Sequence, residues 1–215
     1  RSWFNKIVLE NDLKWPQWEG NRSRALGALD WLRANGIASV RGHNLVWPSW
    51  RYMPADTQRL SPDALRARIN SRIDDTVTAT RGQLTEWDVV NEAWTNTDVQ
   101  KVLGEAEMVE WFKRARSLDP SPVLYINDYS ILSGGGLNRA HQDGYYNIIA
   151  KLVEGGAPVG GIGMQGHFGS QLTSTPKIWQ ILDRFAQFGI EIQITEFDID
   201  IDDEEVQGAY MRDFM

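Results

Sequence analysis

Trp87-Asp88-Val89-Val90-Asn91-Glu92-Ala93-Trp94 is the stretch on which the fold is read. Residues 84–90 are a short run rich in strand formers, and it stops on an amide beside a carboxylate, Asn91-Glu92. The same grammar recurs along the chain. Residues 4–9 run into Glu10-Asn11, and residues 37–40 into Arg41-Gly42-His43. Residues 123–126 run into Asn127-Asp128-Tyr129, residues 159–164 into Gln165-Gly166-His167, and residues 190–195 into Glu196. Between these runs lie helical stripes. Ala25, Ala28, Leu29 and Leu32 mark a helix over 22–34 that stops at Asn35-Gly36. Ser61-Pro62 opens a second, with Leu65, Ile69, Ile73 and Val77 on one face. Further stripes begin at Met108, Tyr145 and Ile178, and one more helix starts within 203–215.

Six apolar strands alternating with amphipathic helices imply a parallel sheet covered by helices. Two architectures satisfy that pattern, an open doubly wound sheet and a closed (β/α)8 barrel. An open sheet gathers its functional residues at one switch point and commonly carries a Gly-x-Gly-x-x-Gly turn after its first strand. No such turn is present, and every strand contributes polar residues at its carboxyl end. A barrel brings all those ends to one mouth, so the α/β class with a (β/α)8 TIM barrel is expected. Such a barrel has eight strands in about 250 residues. Two βα units are therefore expected to lie outside these 215 residues, which read as one domain without a composition break.

The composition narrows the function. There are 22 basic and 29 acidic residues, a net charge of −7, and no basic run, which disfavours nucleic acid and anionic membranes as partners. No apolar run approaches the roughly 18 residues of a transmembrane helix. Cysteine is absent, so disulfides and thiol chemistry are excluded. Acidic charge and polar helix faces favour a monomer. Ten tryptophans are many for this length; they are Trp3, Trp15, Trp18, Trp31, Trp47, Trp50, Trp87, Trp94, Trp111 and Trp179. Large aromatic cores and indole platforms for sugar rings are both open readings. Trp31, Trp111 and Trp179 fall within helical patterns and are expected to pack.

Two carboxylates on opposite walls of a pocket suit glycoside hydrolysis. One of Glu92 and Glu196 would protonate the departing oxygen, and the other would attack the anomeric carbon or activate water. Asn91 is placed to bond a sugar 2-hydroxyl. His43 and His167 would orient a carboxylate or touch hydroxyls; no HExxH or similar spacing suggests zinc. His141, near a helix start, reads as structural or solvated. Arg41 shares a strand face with His43 and would pair with a carboxylate. Asp198 either orients a histidine or belongs to the acidic run that follows it.

Six segments taken together resemble glycoside hydrolase family 10. They are Glu10-Asn11-Asp12-Leu13-Lys14-Trp15, Arg41-Gly42-His43-Asn44-Leu45-Val46-Trp47, Trp87 to Ala93, Ile126-Asn127-Asp128-Tyr129, Gly163-Met164-Gln165-Gly166-His167 and Ile194-Thr195-Glu196-Phe197-Asp198. The resemblance spans nearly the whole chain, in order. It implies a secreted endo-1,4-β-xylanase acting on xylan and xylo-oligosaccharides by a retaining double displacement, without a cofactor or metal; a β-1,4-glucanase or cellobiohydrolase-like activity on the same barrel, or an incomplete non-catalytic β-glycan-binding fragment, is the alternative reading. Glu92 becomes the acid/base and Glu196 the nucleophile. Glu10, Asn11, Lys14, His43, Trp47, Asn91, Gln165 and His167 become glycone-side or positioning residues, and Tyr129 lies towards the leaving group. Arg41, Asn127 and Asp198 support the site. The resemblance also implies that strands two to seven of the barrel are present and that the catalytic domain 1–215 is incomplete at both ends, its signal peptide lying outside this chain. One departure stands out. The family usually has His-Ser-Gln where this chain has Pro48-Ser49-Trp50, and a bulky Trp50 is expected to alter glycone-side binding.

Overall fold

The computed structural model describes residues 4–215, so Trp3 lies outside the described residues. Six strands run in chain order: β1 Lys6–Val8, β2 Ser39–Val46, β3 Glu86–Asn91, β4 Val123–Asp128, β5 Gly161–Phe168 and β6 Glu191–Ile199. Among the described residues seven α-helices accompany them: α1 Trp15–Ala34, α2 Pro62–Ala79, α3 Asp98–Leu103, α4 Glu107–Leu118, α5 Arg139–Glu154, α6 Thr175–Ala186 and α7 Glu204–Phe214. Every strand pairs in parallel with its sequence neighbours, in the order β1-β2-β3-β4-β5-β6. All carboxyl ends therefore share one rim. Arg41 of β2 donates to Gln193 of β6 at 2.8 Å, a contact between strands four places apart in that order. The sheet is thus curled into an arc of a (β/α)8 barrel, helices outside.

Both faces of the central strands are buried. Outside, Trp87, Trp111, Phe112, Ile69 and Ile73 pack between sheet and helices. A Cβ on Gly42 would sit 2.4 Å from the Trp87 ring, so only glycine lets β2 lie against that indole. Inside, the lining is charged. Lys6 reaches Glu86, Glu86 accepts from Arg41 at 2.7 Å, Arg41 forks onto Asp88, and Asp88 meets His43 at 2.8 Å. Arg41 also lies 4.2 Å above the Tyr125 ring. The guanidinium is 1% exposed; burial opposes its charge, but Asp88 and Glu86 together hold its pKa above the ordinary arginine value.

Several expectations shift at their edges. The first helix begins at Trp15 rather than residue 22; Asn21, at φ −156°, interrupts it, so one apolar stripe does not run across both parts. Strands β2, β5 and β6 extend through the polar residues expected to follow them. Ladder irregularities between His43 and Val46, between Asp88 and Val90, and between Met164 and Gln165 let the pairing continue while re-aiming side chains at the rim. The short helix α3 carries too few residues for a readable period. Trp111 packs as expected, but Trp31 and Trp179 do not: they are 60% and 61% exposed. Each sits off the face defined by its buried helical neighbours, Leu29 and Leu32 for Trp31, Ile178 and Ile181 for Trp179.

Candidate active site

Glu92 directly follows β3, and the chain turns there with its φ at +56°. That left-handed conformation costs a non-glycine residue about 1–3 kcal/mol and persists where surroundings impose it. Here the Glu92 amide is tied to the Asn127 carbonyl at 2.7 Å. The turn points the carboxyl into the mouth, where Oε1 accepts from Gln165 at 3.1 Å and Oε2 from Asn96 at 3.3 Å. Burial holds the Glu92 carboxyl above the usual carboxylate range, and the charges of Asp128 and Glu196 push the same way.

Glu196 sits on β6, in register with Gln165 of β5. Its Oε1 accepts from Asn127 at 3.2 Å, and its Oε2 meets His167 Nε2 at 2.8 Å. The other ring nitrogen of His167 is in close contact with Asp198. Partial burial disfavours a charged imidazole, yet the bonds to Glu196 and Asp198 outweigh it and raise the His167 pKa. Asp198 therefore does face a histidine.

Two amides tie the carboxylates into one site. Asn127 donates to Asn91 Oδ1 at 3.0 Å as well as to Glu196, and Gln165 joins Glu92 to the strand beside Glu196. Asn91 is fully buried, and its Nδ2 makes no hydrogen bond of ordinary geometry among the described residues, though it lies close enough to Glu92 to draw that carboxyl's pKa down a little against burial. Trp47 Nε1 is likewise unpartnered, so two buried donors are left free near the mouth. Orphans of this kind are rare in folded proteins and mark strain or a ligand.

The mouth is a cleft with two hollows. The first, of about 360 Å³, is lined by Glu10, Lys14, Arg41, His43, His167 and Glu196 among others. The second, of about 470 Å³, is lined by Trp47, Glu92, Tyr129, Gln165 and His167, with Tyr52, Thr95 and Asn96. His167 borders both. Asn11 is not in these linings; it accepts from Lys14 Nζ at 2.9 Å and holds that ammonium in place. Lys14 lies 5.5 Å over Trp47, and Trp47 stacks on Tyr52 at 3.7 Å. Tyr129 donates to Thr95 at 3.2 Å. Trp50 is not brought to either hollow. It packs against the core while its backbone N–H bonds Asp98. His141 is buried, not solvated, and meets Asp128 at 2.9 Å beneath Tyr129.

Asp88, Asn96 and Tyr52 were not singled out from sequence. Asp88 had a signal, a charge inside an apolar strand and two residues from another, Glu86. Asn96 and Tyr52 lie in loops and had none.

The chain is 32% identical to endo-1,4-beta-xylanase B of Paenibacillus barcinonensis, over 92% of this chain and 63% of that one. It is 33% identical to a beta-1,4-xylanase of Dictyoglomus thermophilum, over 92% of this chain and 58% of that one. It thus spans about 60% of the length of these relatives. The structure of native xylanase 10B from Thermotoga maritima superposes with a TM-score of 0.83 at 30% identity, over 96% of this chain and 67% of that one. With residues 1–213 matching the family described as Glycosyl hydrolase family 10, this chain belongs to that family.

Proposed function

We propose that this chain carries the catalytic pair of a retaining endo-1,4-β-xylanase. The observation that bears most weight is the unequal treatment of two carboxyls in one cleft. Glu92 is desolvated and held in its protonated form to higher pH, which suits a general acid. Glu196 is instead paired on Oε2 with the His167 imidazole, whose charged form is favoured, and bonded on Oε1 by Asn127, which suits a nucleophile with a fixed direction of attack.

In the first step Glu196 attacks the anomeric carbon while Glu92 gives its proton to the departing glycosidic oxygen. In the second, Glu92 takes a proton from water, the water oxygen bonds the same carbon, and Glu196 leaves. Asn91 Nδ2 offers a donor to the 2-hydroxyl, a bond that strengthens as positive charge grows at the ring. Glu10, Lys14 and His43 hold the glycone in the first hollow, and Tyr129 faces the leaving group in the second. The substrate is xylan or a xylo-oligosaccharide, met outside the cell by a monomer, with residues 1–215 part of one catalytic domain. Among the described residues no helix is long and apolar enough to cross a membrane.

The test is hydrolysis followed by NMR, with the β-anomer appearing first; an α-anomer first rules out retention. Glu196→Ala should abolish turnover. Glu92→Ala should lower turnover of xylan by about 10²–10⁴-fold. It should lower the first step on activated aryl xylosides far less, because their leaving groups need little protonation. Equal loss on both substrates removes Glu92 from the acid role. Comparing aryl xylobioside with aryl cellobioside decides between xylan and glucan chains.

A further inference from the structure

Asn96 lies four residues beyond Glu92, in the turn between β3 and α3. Its backbone N–H bonds the Glu92 carbonyl at 3.1 Å. Its side-chain Nδ2 donates to that carbonyl at 3.1 Å and to Glu92 Oε2 at 3.3 Å, with Thr95 Oγ1 also at 3.3 Å. A flipped amide would aim its oxygen at a carbonyl and a carboxylate, both acceptors, so the partners fix the orientation. The opposite oxygen, Oε1, accepts from Gln165 at 3.1 Å. Glu92 therefore has one amide donor on each oxygen.

An ionised carboxylate can accept both bonds. A neutral carboxyl holds them less well, because the oxygen that carries the proton is a weaker acceptor and its O–H needs an acceptor of its own. The longer contact is the one from Asn96 to Oε2, and Asn96, Thr95 and Tyr129 line the second hollow together with Glu92. We propose that Asn96 is a positioning residue that assigns the catalytic proton to Glu92 Oε2. Its amide closes on Oε2 when Glu92 is charged and swings off when Oε2 is protonated, leaving that proton aimed at the departing oxygen. The inference rests on the proposed acid/base role and deepens it. In the first step the Oε2–H bond breaks, the proton goes to the glycosidic oxygen, and Asn96 closes on the new carboxylate. In the second, water gives its proton to Oε2, Asn96 releases, the water oxygen bonds the anomeric carbon and Glu196 leaves.

Several charged groups face Glu92. Asp128 comes from β4 and Glu196 from β6, both favouring the neutral acid, and His167 of β5 borders the same hollow. Substitution at Asn96 leaves all of them in place. The backbone bond from residue 96 to the Glu92 carbonyl also survives any such substitution, so the turn is retained.

The experiment is a titration of the Glu92 carboxyl carbon by ¹³C NMR in the full chain and in Asn96→Ala and Asn96→Asp. Loss of the donor should raise the Glu92 midpoint by roughly half to one pH unit, and a carboxylate in its place should raise it further. The basic limb of kcat/KM on a xylo-oligosaccharide should move up in the same order. A purely structural role for Asn96 would lower activity without moving the midpoint. Unmoved midpoints in both variants overturn the inference even if xylan is hydrolysed. Midpoints that move in a protein inert towards β-1,4-glycans overturn instead the acid/base reading on which the inference rests.

Discussion

Glu92 stands in two unfavourable states at once, a left-handed backbone and a desolvated carboxyl. Both cost stability, as the proposed acid/base role would require. The second makes a prediction with a definite sign. A carboxyl whose folded pKa lies above its unfolded value binds protons more tightly when folded. It therefore lowers stability once pH exceeds the unfolded value of about 4.3, and lowers it fully above the folded pKa. Glu92→Gln should melt higher than the parent at pH 7, by about 2–4 °C for each kcal/mol regained. The gap should close below about pH 4. A Glu92→Gln protein that melts lower at pH 7, by calorimetry, contradicts the desolvation account. At this scale the sequence was informative wherever a polar residue interrupted an apolar run, which marked Glu92, Glu196, Gln165 and His167. It was silent on Asn96 and Tyr52, because a loop's path, not its composition, brings them to the cleft. It was also silent on the outward placement of Trp31 and Trp179, because aromaticity says nothing about which helix face a residue takes.

The elements that carry these residues are held in position by one buried side chain. Arg72 of α2 is 2% exposed and, among the described residues, touches no carboxylate. It donates to the carbonyls of Leu13, Asn44 and Leu45 and to the Thr76 hydroxyl, and its guanidinium lies 5.8 Å from the Trp18 ring centre. Desolvation pushes its pKa down to about 9, and the charges of Glu19 and Asp75 restore only part of the loss. The three carbonyls belong to the loop before α1, which carries Lys14, and to the end of β2, which carries His43 and leads to Trp47. One guanidinium thus fixes two walls of the cleft to the helix behind them. Arg72→Met fills the volume but leaves those carbonyls buried without donors, at about 1–3 kcal/mol for each that water cannot reach. A total loss of about 3–5 kcal/mol by denaturant unfolding is expected. The KM for oligosaccharides should rise as well, because Lys14 and Trp47 lose their anchor. A loss below about 1 kcal/mol would show that water replaces the arginine. The helix itself was plain in its stripe of Leu65, Ile69, Ile73 and Val77. Arg72 was not, since an arginine beside such a stripe looks like a solvated one until its distant partners at 13, 44 and 45 are known.

Across the whole molecule, the architecture was legible because parallel strands place every carboxyl end on one rim, and six polar strand ends cannot share a rim by accident. The charged interior was not legible, since its partners are joined by curvature: Arg41 of β2 meets Glu86 and Asp88 of β3 and Gln193 of β6. That interior and the cleft act on stability from opposite sides of the pH scale. Burial pushes the Asp88 carboxyl up, but Arg41 and His43 outweigh it and hold it below its ordinary value. Glu19, bonded by Arg68, is lowered too. A depressed carboxyl contributes stability above its unfolded pKa of about 4 and loses it as pH falls through the folded value. His167 works in reverse. Its raised pKa contributes stability below about pH 6.5 that is lost as pH rises through the folded value. With 44% of its side chain exposed, solvent screens it and reduces its share of the alkaline slope. Together with the raised Glu92 and Asp128 carboxyls, which lower stability above about pH 4, these shifts place the maximum of the melting temperature between about pH 4.5 and 6.5. His167→Gln should flatten the alkaline side alone. Asp88→Asn should erode the acid side and lower the peak, because among the described residues Arg41 then keeps only Glu86 as a charged partner. An alkaline slope that survives His167→Gln would place its origin in a group other than the cleft histidine.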